Sequence, residues 1–163
     1  MALNAYLTLK GKRQGDISGS VTKKGRENSI LVYSFSNEVL VPRDPASGMA
    51  TGRRQHKPLM ILKEIDKSTP LLWNALATNE SITAWELKFW APSNTGQAEK
   101  QIYSIRLTNA NIVSIRDFMP DNQDPERAKL PLQEEIFFTY QKIEWLWTDG
   151  GISAQDDWQS PGV

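Results

Sequence analysis

Hydrophobic and polar positions alternate with period two over most of the chain, which predicts strands rather than helices. Leu3, Ala5, Leu7 and Leu9 alternate with Asn4, Tyr6, Thr8 and Lys10, as in a half-buried strand. Residues 11–28, rich in Gly, Ser, Lys and Arg, read as a loop. Residues 29–36 return to strand, with Ile30, Val32, Ser34 and Ser36 on one face and Leu31, Tyr33 and Phe35 on the other. Residues 41–57 contain Pro42, Pro45, Gly48 and Gly52 and keep no period, so they read as a long structureless loop. Strand character resumes at 59–65.

One helix is expected at about 69–78. Ser68 or Thr69 can cap it, Pro70 suits its first turn, Leu71, Leu72, Ala75 and Leu76 share helical spacing, and Asn79 can end it. Strands follow near 82–90, 102–107 and 111–118. A polar break at 120–131 precedes a last long strand at 134–147, in which both faces are largely apolar. Phe137, Ile143, Trp145 and Trp147 share one parity, against Ile136, Phe138, Tyr140 and Leu146. A strand apolar on both sides needs cover on both. The composite is one domain over 1–163: a mainly β, antiparallel sandwich or barrel with one flanking helix and a short C-terminal tail at 148–163.

Composition narrows the function classes. Among 163 residues there is no cysteine and one histidine, which excludes disulfides, thiol catalysis, zinc fingers, iron–sulfur clusters and a two-histidine metal site within one chain. The 19 basic and 19 acidic residues cancel, which argues against a generic polyanion binder. The zero is a sum of unlike halves. Residues 1–67 carry 12 Lys/Arg against 6 Asp/Glu, and residues 68–163 carry 7 against 13. The split is either fortuitous or the mark of a polar protomer that attracts its own copies head to tail. No apolar run approaches a membrane span, and residues 1–10 lack the basic and apolar regions of a cleavable secretory signal. Cytoplasmic folding is expected, with any exit of the folded chain through a dedicated machine.

No constellation of side chains builds an active site. His56, within Arg53-Arg54-Gln55-His56-Lys57, reads as a solvated loop histidine rather than a general base. Arg53, Arg54 and Lys57 suit an acidic protein surface better than a nucleic acid, because aromatics are not interleaved with them. Glu134 and Glu135 are adjacent, so a strand sends them to opposite faces, away from the convergence a glycosidase needs. Asp121, Asp124 and Glu126 lack EF-hand spacing, and neither glycine-rich phosphate loop occurs. No cofactor, metal site or catalytic residue is expected. An assembly protein fits these facts, with a non-enzymatic soluble binding module for a protein or glycan as the alternative.

The stretch from Gly48 to Leu76 resembles the haemolysin-coregulated protein (Hcp) family, the tube proteins of type VI secretion systems. Its most specific part is Lys-Glu-Ile-Asp-Lys-Ser-Thr-Pro at 63–70. Arg-Leu-Thr-Asn-Ala-Asn-Ile at 106–112 and Tyr-Gln-Lys-Ile-Glu-Trp at 140–145 are similar to the same family. The resemblance implies a two-sheet antiparallel β-barrel with a helix on its side, similar to phage tail-tube proteins. It implies a homo-oligomer: hexameric rings with a wide channel, stacked into a tube inside a contractile sheath. A spike protein and effector proteins are the implied partners, with no nucleic acid and no membrane insertion. The implied fate is cytoplasmic assembly, then secretion without a signal peptide. The family's stacking loop matches 41–57, which assigns Arg43, Asp44, Arg53, Arg54, His56 and Lys57 to contacts between rings. Its channel-lining strand matches 29–36, with Ser34 and Ser36 as cargo contacts. Some relatives carry C-terminal toxin domains, and none is expected after the tail here. Gly15-Asp-Ile-Ser18 stands where the commoner family pattern has Gly-Glu-Ser, a departure that bears on ring-edge details.

Overall fold

The computed structural model describes residues 3–96 and 98–159. The strands are β1 (Asn4–Gly11), β2 (Gly15–Asp16), β3 (Ile30–Ser36), β4 (Val39–Leu40), β5 (Gln55–His56) and β6 (Leu59–Glu64). After the helix α1 (Thr69–Ala77) come β7 (Ile82–Ala91), β8 (Lys100–Thr108), β9 (Asn111–Phe118), β10 (Gln133–Thr139), β11 (Lys142–Trp147) and β12 (Ile152–Asp157). Ten strands form one antiparallel ladder in the order β12-β11-β8-β7-β1-β3-β6-β10-β9, with β2 paired to β1.

The ladder curls around one core. Ala5, Leu7 and Leu9 of β1 enter it, as their alternation requires, with Ile30, Val32, Leu59, Ile61, Leu87, Ile105, Ile136 and Phe138. Trp85 of β7 meets Phe138 of β10 with ring centroids 5.4 Å apart. Four ladder steps separate those strands, and in a flat sheet they would lie about 19 Å apart. The closed two-sheet barrel is nevertheless not what the hydrogen bonding describes. Strands β8, β11 and β12 extend the ladder beyond β7, so its end strands are β12 and β9, which do not pair. An isolated bridge between Ile82 and Ala110 brings the β8–β9 turn against the start of β7.

The helix forms much as its local signals require. Pro70 lies in the first turn, and the helix ends before Asn79, which takes a left-handed φ of 50°. Ser68 occupies the N-cap position without a capping bond from its side chain. Instead Asp66 Oδ1 accepts from the Ser68 amide and hydroxyl, and Thr69 Oγ1 accepts from the Asp66 amide. Leu72 and Ala75 turn into the core, and Trp73 Nε1 donates to Asp117 Oδ2 of β9 at 3.2 Å.

Two expectations are corrected near the C-terminus. The single strand at 134–147 is two strands, broken at Tyr140-Gln141, that run to different parts of the ladder. The break lets Ile136, Phe138, Tyr140 and Ile143 all reach the core despite their mixed parity. The segment at 148–163 is not simply a tail, because residues 152–157 form β12 and pair along the whole of β11.

The stretch at 11–28, expected as a loop, holds the end of β1 and the short strand β2, and it is pinned by buried Ile17 and by the carboxylate of Glu99. Glu99 accepts from Lys23 Nζ (2.8 Å), Arg26 Nη1 (2.5 Å) and Asn4 Nδ2 (2.9 Å). Those bonds, the one from Lys23 foremost, lower its pKa from the ordinary 4.5 to about 2. A carboxylate with a depressed folded pKa contributes stability that is present above the unfolded value and lost as pH falls toward the folded one. Glu99→Gln should therefore have a lower urea midpoint than the parent at pH 7, with the gap narrowing below pH 4.5 and closing near pH 2. Midpoints measured at several pH values decide this, and a gap independent of pH would refute it.

Candidate assembly interface

The stretch at 41–57 is not structureless. It is the outer part of a β-hairpin arm whose root is the pairing of β4 with β5. Arg43 bridges Ala50, the Thr51 amide donates to the Pro42 carbonyl at 2.9 Å, and the Lys57 amide donates to the Glu38 carbonyl at 3.0 Å. At the tip Asp44 Oδ2 accepts from the Ser47 hydroxyl and amide, which hold its pKa below the ordinary carboxylate range. Gly48 closes the turn with a φ of 73°, a conformation that favours glycine. Every residue from Pro45 to Arg53 is exposed, and Met49 at the tip is 70% exposed. Proline and glycine erased the strand period here while leaving enough amides to zip a ribbon.

The arm's basic residues do different things. Arg43 Nη1 donates to the Gly48 carbonyl at 3.2 Å within the arm. Lys57 makes an exposed ion pair with Glu38 at 3.2 Å. Arg54 and His56 instead turn back onto the protein's own C-terminal strand. Arg54 Nε donates to Asp156 Oδ2 at 2.6 Å, and Nη2 donates to the Asp157 carbonyl at 2.9 Å. His56 is not a solvated histidine, because its side chain is 1% exposed. Its Nε2 lies 2.6 Å from Asp156 Oδ2 and its Nδ1 lies 2.9 Å from the Tyr140 hydroxyl. A carboxylate only accepts, so Nε2 carries a proton. Trp158 packs against the imidazole at 5.8 Å and donates its Nε1–H to the Tyr140 carbonyl. The Arg54 bond in particular lowers the Asp156 pKa, while burial, with Asp156 adding, pushes the Tyr140 phenol up to about 12.

This latch at the arm root was missed because Asp156, Asp157 and Trp158 lay in what the pattern gave as a tail. The signal available was complementary charge: a basic run at 53–57 and an acidic–aromatic run at 156–158. The same pairing recurs between the halves of the chain. Arg54 with Asp156, Lys63 with Glu134, and Lys23 and Arg26 with Glu99 each join a cation of the first half to a carboxylate of the second. Part of the charge split is thus consumed inside the fold.

Two further surfaces stand out. On β3 a bulge between Val32 and Ser34 reverses the parity of the strand, so Ser34 and Ser36 do not share the face of Ile30 and Val32. Phe35 takes the core-side position, opposite Ile61 and 4.8 Å from Phe89. Ser34 and Ser36 are exposed on the opposite face, aligned with Leu62 and Met60. On the other wing Phe89, Tyr103, Trp147 and Ile152 stand in register across β7, β8, β11 and β12. Exposure rises along that row, from buried Phe89 to Trp147 at 44% and Ile152 at 68%. The row ends on β12, a terminal strand of the ladder.

Among the described residues no cluster of His, Cys, Asp and Glu could hold a metal, and no helix is long and apolar enough to cross a membrane. A family model described as type VI secretion system effector, Hcp, matches residues 6–147. The major exported protein of Pseudomonas aeruginosa PAO1 is 40% identical over 99% of this chain and 98% of its own length. A crystal structure of an Hcp protein superposes with a TM-score of 0.91 at 31% identity, covering 98% of this chain and all of the other. The secreted protein Hcp3 from Pseudomonas aeruginosa gives a TM-score of 0.79 at 32% identity, with 98% and 100% coverage. The chain therefore belongs to the Hcp family of type VI secretion tube proteins, as its motifs, its curled antiparallel ladder and these relatives jointly require.

Proposed function

We propose that the chain is a structural, non-catalytic subunit whose copies close into hexameric rings, and that the rings stack into a tube carrying effector proteins in its channel. The observation that carries this reading is the apolar row ending on the terminal strand β12. A surface of this kind, with Trp147 and Ile152 open to water beside unpaired strand hydrogen-bonding groups, is suited to cover by another copy. A heterologous contact of that surface closes into a ring when its rotation allows.

The arm supplies the contact between rings. Arg43, Asp44 and Arg53 lie on its outer part, Lys57 lies beside Glu38 on the body side of its root, and Arg54 and His56 act at the root by fixing the arm to β12. A latched root reduces the ordering cost when the tip docks. Ser34 and Ser36 belong to the exposed face of β3 and are assigned to the channel wall, where small polar side chains let cargo pass. Assembly takes place in the cytoplasm, inside a contractile sheath and under a spike protein, and export of the tube follows without a signal peptide. The mode of assembly is similar to that of phage tail tubes.

Sedimentation velocity tests the ring. The parent chain is expected to sediment at six times the mass of one chain, and Ile152→Asp with Trp147→Asp is expected to leave folded monomers. A parent that stays monomeric at high concentration would remove the reading in favour of a binding module. Rings that survive both substitutions would move the interface away from β11 and β12.

A further inference from the structure

Neither the arm nor β12 contributes an apolar side chain to the core. Strands β4 and β5, two residues each, pair with one another outside the ladder. A hairpin of that size is marginal in water on its own. Strand β12 ends the ladder and pairs with β11 alone, and its residues from Ile152 to Gln155 are exposed. A terminal strand without buried side chains belongs to the low end of local stability. Two weakly held elements therefore sit side by side, and each has a reason to open.

Their strongest polar contacts are with each other. Arg54 Nε and His56 Nε2, both at the arm root, converge on Asp156 Oδ2 of β12 at 2.6 Å each. Arg54 Nη2 also donates to the Asp157 carbonyl, so one planar guanidinium grips a carboxylate and a backbone oxygen and fixes direction as well as distance. The imidazole is almost wholly buried and the Asp156 side chain is 26% exposed, which withdraws the site from water and strengthens its charge-assisted bonds. The break between β10 and β11 backs both partners. Tyr140 meets His56 Nδ1, and Gln141 Nε2 donates to Asp157 Oδ2 at 3.2 Å. Removing Asp156 takes away an acceptor shared by both arm donors. Removing the donors strips the same carboxylate of these partners.

We propose that this latch couples the arm and β12 into one cooperative unit, so that a second copy covering the β12 edge also fixes the arm. The coupling is a property of the single chain, whereas its use in assembly rests on the ring reading above. In a free chain the terminal strand and the arm open together. In a closed ring β12 is covered, and the arm is already set when the next ring arrives, so ring closure precedes stacking. Coupling of this kind is reciprocal: whatever orders the arm also orders β12.

Amide hydrogen exchange of the intact chain across a dilution series tests it. In the most dilute samples Asp156→Ala is expected to speed exchange of the Thr51 and Lys57 amides in the arm by about tenfold or more. Arg54→Gln with His56→Gln is expected to speed the amides of β12 by a similar factor. Asp156→Asn, which keeps an acceptor oxygen but not the charge, should show the same pattern more weakly. Lys57→Gln, which breaks the exposed pair with Glu38 and no bond of the latch, should leave β12 unchanged. Unaltered exchange in β1 and β7 separates these effects from a general loss of stability. On association the arm and β12 of the parent should slow together, and in Asp156→Ala β12 alone should slow. Arm variants that leave β12 within about twofold of the parent, or β12 slowing on association of the parent without the arm, would overturn the coupling. A chain that never associates would remove the ring reading, and the reciprocal effects in dilute samples would still decide whether arm and β12 are coupled.

Discussion

Lys63→Met should destabilise the chain by about 3–5 kcal/mol, because it strands a buried carboxylate. Lys63 and Glu134 face each other across β6 and β10, and both side chains are fully buried. Lys63 Nζ donates to Glu134 Oε1, to the Glu64 carbonyl at 2.9 Å and to Thr69 Oγ1 at 3.3 Å, and lies 3.1 Å from Asp66. Burial raises the pKa of Glu134, Lys63 works against that rise, and Asp117 adds to it. Without Lys63 only the hydrogen bond from Thr69 opposes that rise. A second variant separates the pair from its packing. Lys63→Met with Glu134→Leu should recover most of the loss, since an apolar pair of similar volume is often as stable as a buried ion pair. Denaturant midpoints of the parent, single and double variants make the comparison. A single variant costing under about 1 kcal/mol, or a double as weak as the single, would show that this pair is not a buried charge pair.

Phe138→Ala should cost about 3–5 kcal/mol and shift the emission of Trp85 to the red, whereas Phe137→Ala should cost under about 1.5 kcal/mol. Phe138 is fully buried against Trp85, and that contact exists because the ladder curls β10 over β7. Phe137 is half-buried on the opposite face, bordering a surface cavity with Ser36, Met60 and Lys57. Adjacent phenylalanines with such unequal effects are the signature of this register. Equal effects, or a Trp85 emission indifferent to Phe138, would disprove the curled arrangement. Chemical denaturation followed by tryptophan fluorescence reads both quantities.

Much of the architecture was legible because its signals are local. The alternation of Ala5, Leu7 and Leu9 faithfully marks the core face of β1, and Pro70 with Asn79 brackets the helix. Glu134 and Glu135 point to opposite faces, as adjacency on a strand demands. Parity failed where a single residue breaks the period. The bulge after Val32 moved Ser34 and Ser36 to the outer face and Phe35, still 38% exposed, to the parity of the core side, and Tyr140-Gln141 divided one apparent strand into two. Neither break has a glycine or proline to announce it. The arm was misread for the opposite reason: its prolines and glycines obscured a ribbon held by backbone bonds that side-chain patterns do not report.

By itself the sequence determined that the protein is mainly β with one helix, without cysteine chemistry, and a member of the Hcp family by the motifs at 63–70 and 140–145. These properties follow from composition, short-range periodicity and contiguous motifs, which need no knowledge of what lies across the fold. Tertiary structure alone decided that the ladder curls without closing, that His56 and Arg54 latch the arm to Asp156, and that opposite charges of the two halves meet inside one chain. It also decided which aromatics stay exposed at the β12 edge. Those outcomes depend on pairings up to about a hundred residues apart, and their register is set by burial of the whole sheet rather than by any local preference.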